Sequence, residues 1–505
     1  MLNRQKKETI ENFRHYHTIE HDSCGIICII EKAGIPTRAN LDETIRSLIQ
    51  MEHRSGFIDG EGDGCGVLTD IPRALWSRYL EKAGLDGSLA KQDRFAVAHL
   101  FVPRTGHDAL QVQEQIRSRF AQAGVSILLE RENCVNSSVL GKNGKRDEPI
   151  FWQLALYAPD GFTGAAYASR LFDIHTDIEA SHNVHVASLS PVTSSYKVMG
   201  AANILPLYFH DLADEQFLSS VTIGHNRYST NTLSNFFRVQ PFSILGHNGE
   251  INTISKLEEE ARMLGVPLVE GGSDSQNVNR TIETFIHRFG LSLFEAMEVV
   301  FPPIHHEMKN LPAHLQDLYV YLRQAWGHFA QGPAGIVSRY ADECVFSVDA
   351  LGLRPLWMVE SATSFYFSSE QGIINAENMM SEPKPLAPGE KVGILLRPGS
   401  GVEVVPHHQL QQVVYERFAS KIRAEDARKH LTYEYRTEAL AVEPDADRPT
   451  SSVYSAFGWD REQIQLIEQM ASNGVEPIRS LGHDGPLGAL SRERQNLADY
   501  MKESV

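Results

Sequence analysis

The 505-residue sequence predicts an α+β fold in which two β-sheets pack against each other under a cover of helices. Two observations carry that expectation: many short apolar runs bounded by turn residues, and helical patterns gathered at the ends of the strand runs. A third, the lack of any internal repeat, sets repeat architectures aside. The first strand is expected at 24–30 (CGIICII). Further strands are expected at 67–71, 95–102, 151–157, 184–189, 221–227, 242–246, 344–351, 356–359, 365–368 and 391–396. An amphipathic helix should begin near Leu41, with Leu41, Ile45, Leu48 and Ile49 on one face and Asn40 and Glu43 as a capping box. Other helices are expected at 109–123, 167–179, 278–289, 313–329 and 413–429.

Composition narrows the function classes. Hydrophobic residues make up 42% and charged residues 22%, ordinary for a soluble globular protein. A formal charge of −17 opposes a nucleic-acid partner, which calls for a basic face. No apolar run is long enough to span a bilayer, and the first 23 residues lack the apolar stretch of a secretory signal, so no membrane partner is expected. Five cysteines are few and odd in number, which disfavours a disulfide framework and makes a reducing cytoplasm the default. Residues 1–23 read as a polar leader, 24–430 as the main domain, 431–451 as a charged, proline-containing linker, and 452–505 as a small helical extension. In that extension Asp460 should cap a helix that Gly474 ends, with a second helix running to the terminus.

Five short motifs carry the chemistry: His21-Asp22-Ser23-Cys24-Gly25, His53-Arg54-Ser55-Gly56 with Gly62-Asp63-Gly64, His225-Asn226-Arg227-Tyr228-Ser229-Thr230, His247-Asn248-Gly249-Glu250, and Gly272-Ser273-Asp274-Ser275 at a helix start. Taken alone, Cys24 reads equally as a buried structural cysteine or as a nucleophile. A chain cut between Ser23 and Cys24 would free an α-amine with a pKa of roughly 7.7–8.0, able to act as base for its own thiol. Cys28, inside an apolar strand, reads as core packing, and with no further cysteine pair neither it nor Cys24 suggests a metal site. Asn248 and Gly249 can donate to an oxyanion, although Asn-Gly without context more often marks a turn. Arg227 can grip a carboxylate with two parallel hydrogen bonds, helped by the Thr230 hydroxyl, and Asp274 can take an ammonium group. Any of these charged residues could instead serve in a surface ion pair.

Together the motifs, with the phrases RYSTNT at Arg227, QPF at Gln240 and HNGEINT at His247, resemble the glutaminase domain of glutamate synthase, a class II (N-terminal-nucleophile) glutamine amidotransferase. The resemblance runs from about Glu20 to Leu396 and continues more weakly to the end. It implies a four-layer αββα sandwich and hydrolysis of L-glutamine to L-glutamate and ammonia, with Cys24 as nucleophile and Asn248 and Gly249 as oxyanion donors. Arg54, Arg227, Thr230 and Asp274 would bind the substrate, Arg54 lying near the nucleophile. Asp63 and its glycines, His53, His225, His247, Arg354 and Glu370 would be structural. The family also implies an ammonia acceptor, 2-oxoglutarate, on a part bearing FMN and an iron–sulfur cluster; neither cofactor, nor any metal, is expected on this chain. Residues 457–490 resemble the opening of the family's central domain, so a separate synthase subunit or further C-terminal domains should receive the ammonia. Ser55 replaces a usual glycine, Cys65 a smaller residue, and Ala350-Leu351 a polar pair, none of them touching the inferred chemistry. Two rival readings stand beside this one: an amidotransferase serving another acceptor, for which no phosphate-binding loop is found, and an unprocessed, non-catalytic regulatory module.

Overall fold

The computed structural model describes residues 24–422 and 451–475, apart from 59, 105–108, 228–234, 328, 398–399, 457 and 460. The chain divides into two units, Met1–Leu431 and Thr432–Val505. In the first, β1 (Gly25–Glu31), β4 (Cys65–Asp70), β9 (Thr193–Val198), β10 (Val221–Asn226), β14 (Trp357–Glu360), β15 (Ser364–Ser368) and β16 (Lys384–Pro385) form one sheet, ordered β16-β14-β15-β1-β10-β4-β9. A second sheet runs β11 (Leu245–Gly249), β12 (Ala334–Tyr340), β13 (Glu343–Val348), β17 (Lys391–Arg397) and β18 (Gly401–Val405). A third has the order β6 (Ser126–Glu132), β7 (Ile150–Tyr157), β5 (Phe95–Val102), β8 (His185–Ser190). β2 (Phe57–Ile58) and β3 (Glu61–Gly62) make a two-residue ladder.

The period of two in β1 explains the layering. Ile26, Cys28 and Ile30 face the second sheet, where they join Ile223, Val337, Cys344, Phe346 and Ile394 in one buried cluster. The rings of Phe346 and Phe367 stack there at 3.5 Å between centroids. Ile27 and Ile29 face the other way and pack with Leu41, Ile45 and Leu48 of the helix Arg38–Gln50. On its outer face the second sheet packs Leu245, Ile336 and Val345 against the helices Asp274–Phe289, Leu293–Val300, Ala313–Ala325 and His407–Ala419. The result is helix, sheet, sheet, helix: the αββα sandwich implied by the motifs. The third sheet, with the helices Ala109–Gln122 and Gly164–Ser181, builds its own core beside this frame. In the second unit the helices Ser451–Ala456 and Arg461–Asn473 are described, and Gly474 follows with φ +64°. Asp460 and the expected terminal helix lie outside the described residues.

Several expected boundaries move. The helix expected at 413–429 spans His407–Ala419, because Pro406 starts it earlier. The helix Arg38–Gln50 is capped by Thr37, whose side chain accepts from the Asn40 N–H; Asn40 is buried and donates to the Ile29 carbonyl at 3.1 Å, so the Asn40–Glu43 box does not form. Capping boxes occur instead at Ser273–Gln276 and Ser292–Glu295. The strand expected at 242–246 runs Leu245–Gly249, since Phe242 N–H bonds back to the Leu245 carbonyl and closes a turn first.

Burial holds four histidines neutral. It pulls His99, His185 and His287 from 6.5 to about 4, and His225 to about 3. An unfolded chain binds protons on these rings below about 6.5 while the folded one refuses them until near its own lower pKa, so stability is intact above that pH and falls between it and about pH 4. Each ring costs roughly 1.4 kcal/mol per pH unit in that window. The urea midpoint followed by circular dichroism should therefore drop clearly from pH 7 to pH 5. An unchanged midpoint would show that these rings already carry protons in the native state.

Candidate active site

Four chain segments converge at one end of the sandwich. Gly25 pairs with Asn226 in the β1–β10 ladder, which sets Cys24, just before β1, beside Arg227, just after β10. A Cβ on Gly25 would stand 3.2 Å from the Arg54 Cβ and 3.5 Å from the Asn226 Cβ, so Arg54 packs on the residue next to Cys24. Asn226 itself closes the helix Arg38–Gln50, donating to the carbonyls of Leu48 at 2.7 Å and Met51 at 3.2 Å.

Among the five cysteines, burial separates two from the three in the core. Cys28, Cys65 and Cys344 are fully buried, and desolvation pushes each thiol up, that of Cys344 to about 12. Cys24 and Cys134 are half-exposed, and only Cys24 lies among the motif residues. Arg227 is buried at 6% exposure. Burial lowers its pKa, while first the Asp63 carboxylate and then the Cys24 thiol raise it, so all three groups share one electrostatic neighbourhood. The turn between Ser55 and Gly66 clamps the Arg227 backbone: Gly56 N–H donates to its carbonyl at 3.0 Å, and its own N–H donates to Gly64 at 2.8 Å. The glycines are needed here, since a Cβ on Gly64 would come within 2.4 Å of Val239 and one on Gly62 within 2.5 Å of the Ala201 nitrogen.

The register of β11 places Asn248 and Gly249. Arg339 N–H donates to Ile244 at 2.8 Å and Glu250 N–H to Pro333 at 2.9 Å, so the even-numbered residues of β11 bond to β12 and the odd-numbered ones face away. The Gly249 N–H thus lies on the side away from β12. Gly246 points its missing side chain at Ile223 of β10, 3.4 Å away, and Asn248, two residues on, projects from that same inner face. Asn248 is 1% exposed, and its Oδ1 has no hydrogen-bond partner among the described residues.

His247 projects from the opposite face. Its Nδ1 meets Ser275 Oγ at 2.8 Å, its N–H donates to Gln240 Oε1 at 2.7 Å, and its carbonyl accepts from His225 Nε2 at 3.1 Å. Asp274 opens the helix Asp274–Phe289 and accepts from Ser275 N–H at 2.6 Å, Ser275 Oγ at 3.1 Å and Ile251 N–H at 2.9 Å. A carboxylate has room for about four such bonds, which leaves a direction open for an ammonium group.

Arg54 donates through Nε to Glu370 Oε1 at 2.5 Å, and His53 approaches the same oxygen at 3.3 Å. Thr230 lies outside the described residues. Arg354 sits close enough to His247 to lower its pKa, behind the larger effect of burial and against a rise from Asp274.

Sequence reading missed a second network. Lys197 is fully buried, and burial brings it down to about 7. It reaches His185 at 2.7 Å and the Phe237 carbonyl at 3.3 Å, while Gln276 donates to that same carbonyl at 3.2 Å. His185 continues to Glu179 at 3.0 Å and Glu179 to Arg280 at 2.6 Å. A lysine in the polar run TSSYKV gave no sign of this. Among the described residues no group of three or more His, Cys, Asp or Glu could hold a metal ion, and no helix is long and apolar enough to cross a membrane.

Comparison with known proteins places these residues in a family. A profile described as glutamine amidotransferases class-II matches residues 24–417, and one described as glutamate synthase central domain matches 452–505. Ferredoxin-dependent glutamate synthase 2 of Synechocystis sp. is 28% identical over 516 residues, covering 96% of this chain and 32% of the relative. The large chain of the NADPH glutamate synthase of Azospirillum brasilense is 26% identical over 518 residues, covering 96% and 33%. The chain thus spans about a third of the length of these curated relatives. A solved structure of glutamine phosphoribosylpyrophosphate amidotransferase from B. subtilis, with ADP and GMP, is 13% identical with a TM-score of 0.37, covering 76% of this chain and 49% of that one. At that score the likeness is too loose to build on. The first profile match opens on Cys24 and takes in every motif gathered around it, across well over half of the chain, and so this protein belongs to the class-II glutamine amidotransferases.

Proposed function

We propose that this chain hydrolyses L-glutamine to L-glutamate and ammonia, with Cys24 as nucleophile. The observation that supports this most is the pairing of Gly25 with Asn226, which brings a half-exposed thiol beside a buried guanidinium. The freed α-amine of Cys24 takes the thiol proton as sulfur attacks the carboxamide carbon. Asn248 and the Gly249 N–H hold the oxyanion, ammonia leaves with the transferred proton, and water cleaves the thioester to glutamate. Arg227 and Thr230 grip the substrate carboxylate, Asp274 the ammonium, and Arg54, braced by Glu370, lines the nucleophile's side.

In the setting of a glutamate synthase the ammonia would pass to 2-oxoglutarate on another part of the polypeptide or on a partner subunit, in the cytoplasm. FMN and an iron–sulfur cluster would be carried there too.

The test is ammonia release from L-glutamine, with a diazo-ketone glutamine analogue expected to label Cys24 alone. Labelling at Cys28 or Cys65 would sink the assignment. Arg227→Lys should raise KM for glutamine by roughly 10- to 100-fold, since lysine keeps the charge but loses the planar fork. An effect confined to kcat would contradict a carboxylate-binding role.

A further inference from the structure

The hydrogen-bond chain between Asp274 and β11 has no part in the reaction described so far. Asp274, as a carboxylate, only accepts hydrogen bonds, so the single hydroxyl proton of Ser275 goes to it across 3.1 Å. The His247 ring must then donate its Nδ1–H to Ser275 Oγ across 2.8 Å. His247 Nε2 is left as a buried lone pair with no partner among the described residues, so the ring is neutral in this one tautomer. Ser275 and His247 are 4% and 2% exposed, which shields the chain from competing water. His247 immediately precedes Asn248, and with its N–H and carbonyl already fixed by Gln240 and His225, its ring is the remaining handle on this strand. Asp274 also fixes Ile251 N–H at 2.9 Å, two residues beyond Gly249. The carboxylate assigned to the ammonium therefore holds the oxyanion segment from both sides.

We propose that Ser275 is a positioning residue whose hydroxyl carries the state of the α-ammonium site at Asp274, through His247, to the oxyanion donors Asn248 and Gly249. Recognition of the substrate amino group then raises turnover as well as affinity: an ammonium on Asp274 draws on the charge that orients the Ser275 hydroxyl and settles the strand in its reactive position. This rests on the glutaminase reading and on the role given to Asp274.

The experiment compares L-glutamine with 5-amino-5-oxopentanoic acid, which keeps the carboxamide and carboxylate and lacks the amine. Ammonia release is measured for the full chain with Cys24 at its mature N-terminus, as wild type, Ser275→Ala and Ser275→Thr. In wild type the amine-free substrate should show a kcat lower by about 10-fold or more, besides a raised KM. In Ser275→Ala the kcat ratio of the two substrates should collapse toward one while the KM ratio persists, because Asp274 still meets the ammonium. Ser275→Thr, which retains the hydroxyl, should restore the wild-type ratio; a merely structural role would move both substrates equally. The relay is overturned if Ser275→Ala keeps the wild-type kcat ratio, or if wild type turns over both substrates at the same kcat. Should wild type release no ammonia from glutamine, the glutaminase reading itself fails, and the relay with it.

Discussion

Cys24→Ala is expected to abolish ammonia release from glutamine, by at least about 10⁴-fold, since a missing nucleophile in a covalent mechanism leaves only binding and oxyanion stabilisation. No other thiol can stand in. Cys28 and Cys344 lie between the two sheets, Cys65 lies in β4, and burial holds all three in the protonated, unreactive form. Cys134 follows β6, in the third sheet, away from the strands that meet at Arg227. The fold should survive, because Cys24 precedes β1 and is absent from the buried clusters. Turnover and the circular-dichroism melting curve, measured side by side, check both halves of the claim. Residual activity within a hundredfold of wild type would move the nucleophile elsewhere.

Gly249→Ala should be nearly as damaging. The residue sits at φ +130°, and a Cβ there would stand 1.8 Å from the Pro333 carbonyl oxygen and 2.7 Å from its carbon. Backbone on that side cannot turn away as a flexible side chain would, so β11 must shift against β12. Such a shift misplaces the Gly249 N–H and the Asn248 amide together, and loss of one oxyanion donor alone costs about 10²–10³ in kcat. Glutamine KM should change less than kcat, because the turn between Ser55 and Gly66 holds Arg227 and the helix Asp274–Phe289 carries Asp274, although Asp274 also bonds the Ile251 N–H beyond β11. Steady-state kinetics on a variant whose melting curve stays cooperative separates this effect from unfolding. A loss confined to KM would remove Gly249 from the oxyanion hole.

Much of the frame was legible in the sequence because short apolar runs and burial coincide in β1, β5 and β15, where every residue is buried. What escaped notice had the opposite character. β9 (TSSYKV) is wholly buried yet reads as polar, its polar side chains meeting neighbouring strands, as in Lys197 Nζ to His185 Nε2 at 2.7 Å and Ser194 Oγ to Thr69 Oγ at 3.4 Å. β6 lies at the edge of its sheet with none of its residues fully buried, and no alternation of apolar and polar residues announces it. At the site, the motifs carried the residues proposed to react, while Ser275 and Gln240 stood inside quoted phrases without roles and Glu370 was read only as structural. Glu370 meets Arg54 from far along the chain, and even for Ser275 with His247 and Gln240 with the β11 backbone only folding brings the groups within hydrogen-bond reach.

Among the described residues β11 ends its sheet, with β12 on one side only. Unpaired edges invite further strands, and proteins usually blunt them. Here the blunting is selective: the Gln240 amide and the His225 ring occupy the groups that His247 would offer a newcomer, and nothing comparable is done at Gly249 among the described residues. A sixth strand laid along β11 would take the Gly249 N–H into a ladder and silence the proposed oxyanion hole without altering any side chain proposed to react. On the proposed mechanism, extending this sheet at that border and performing the chemistry would exclude each other, so the width of the sheet would itself be a requirement of catalysis.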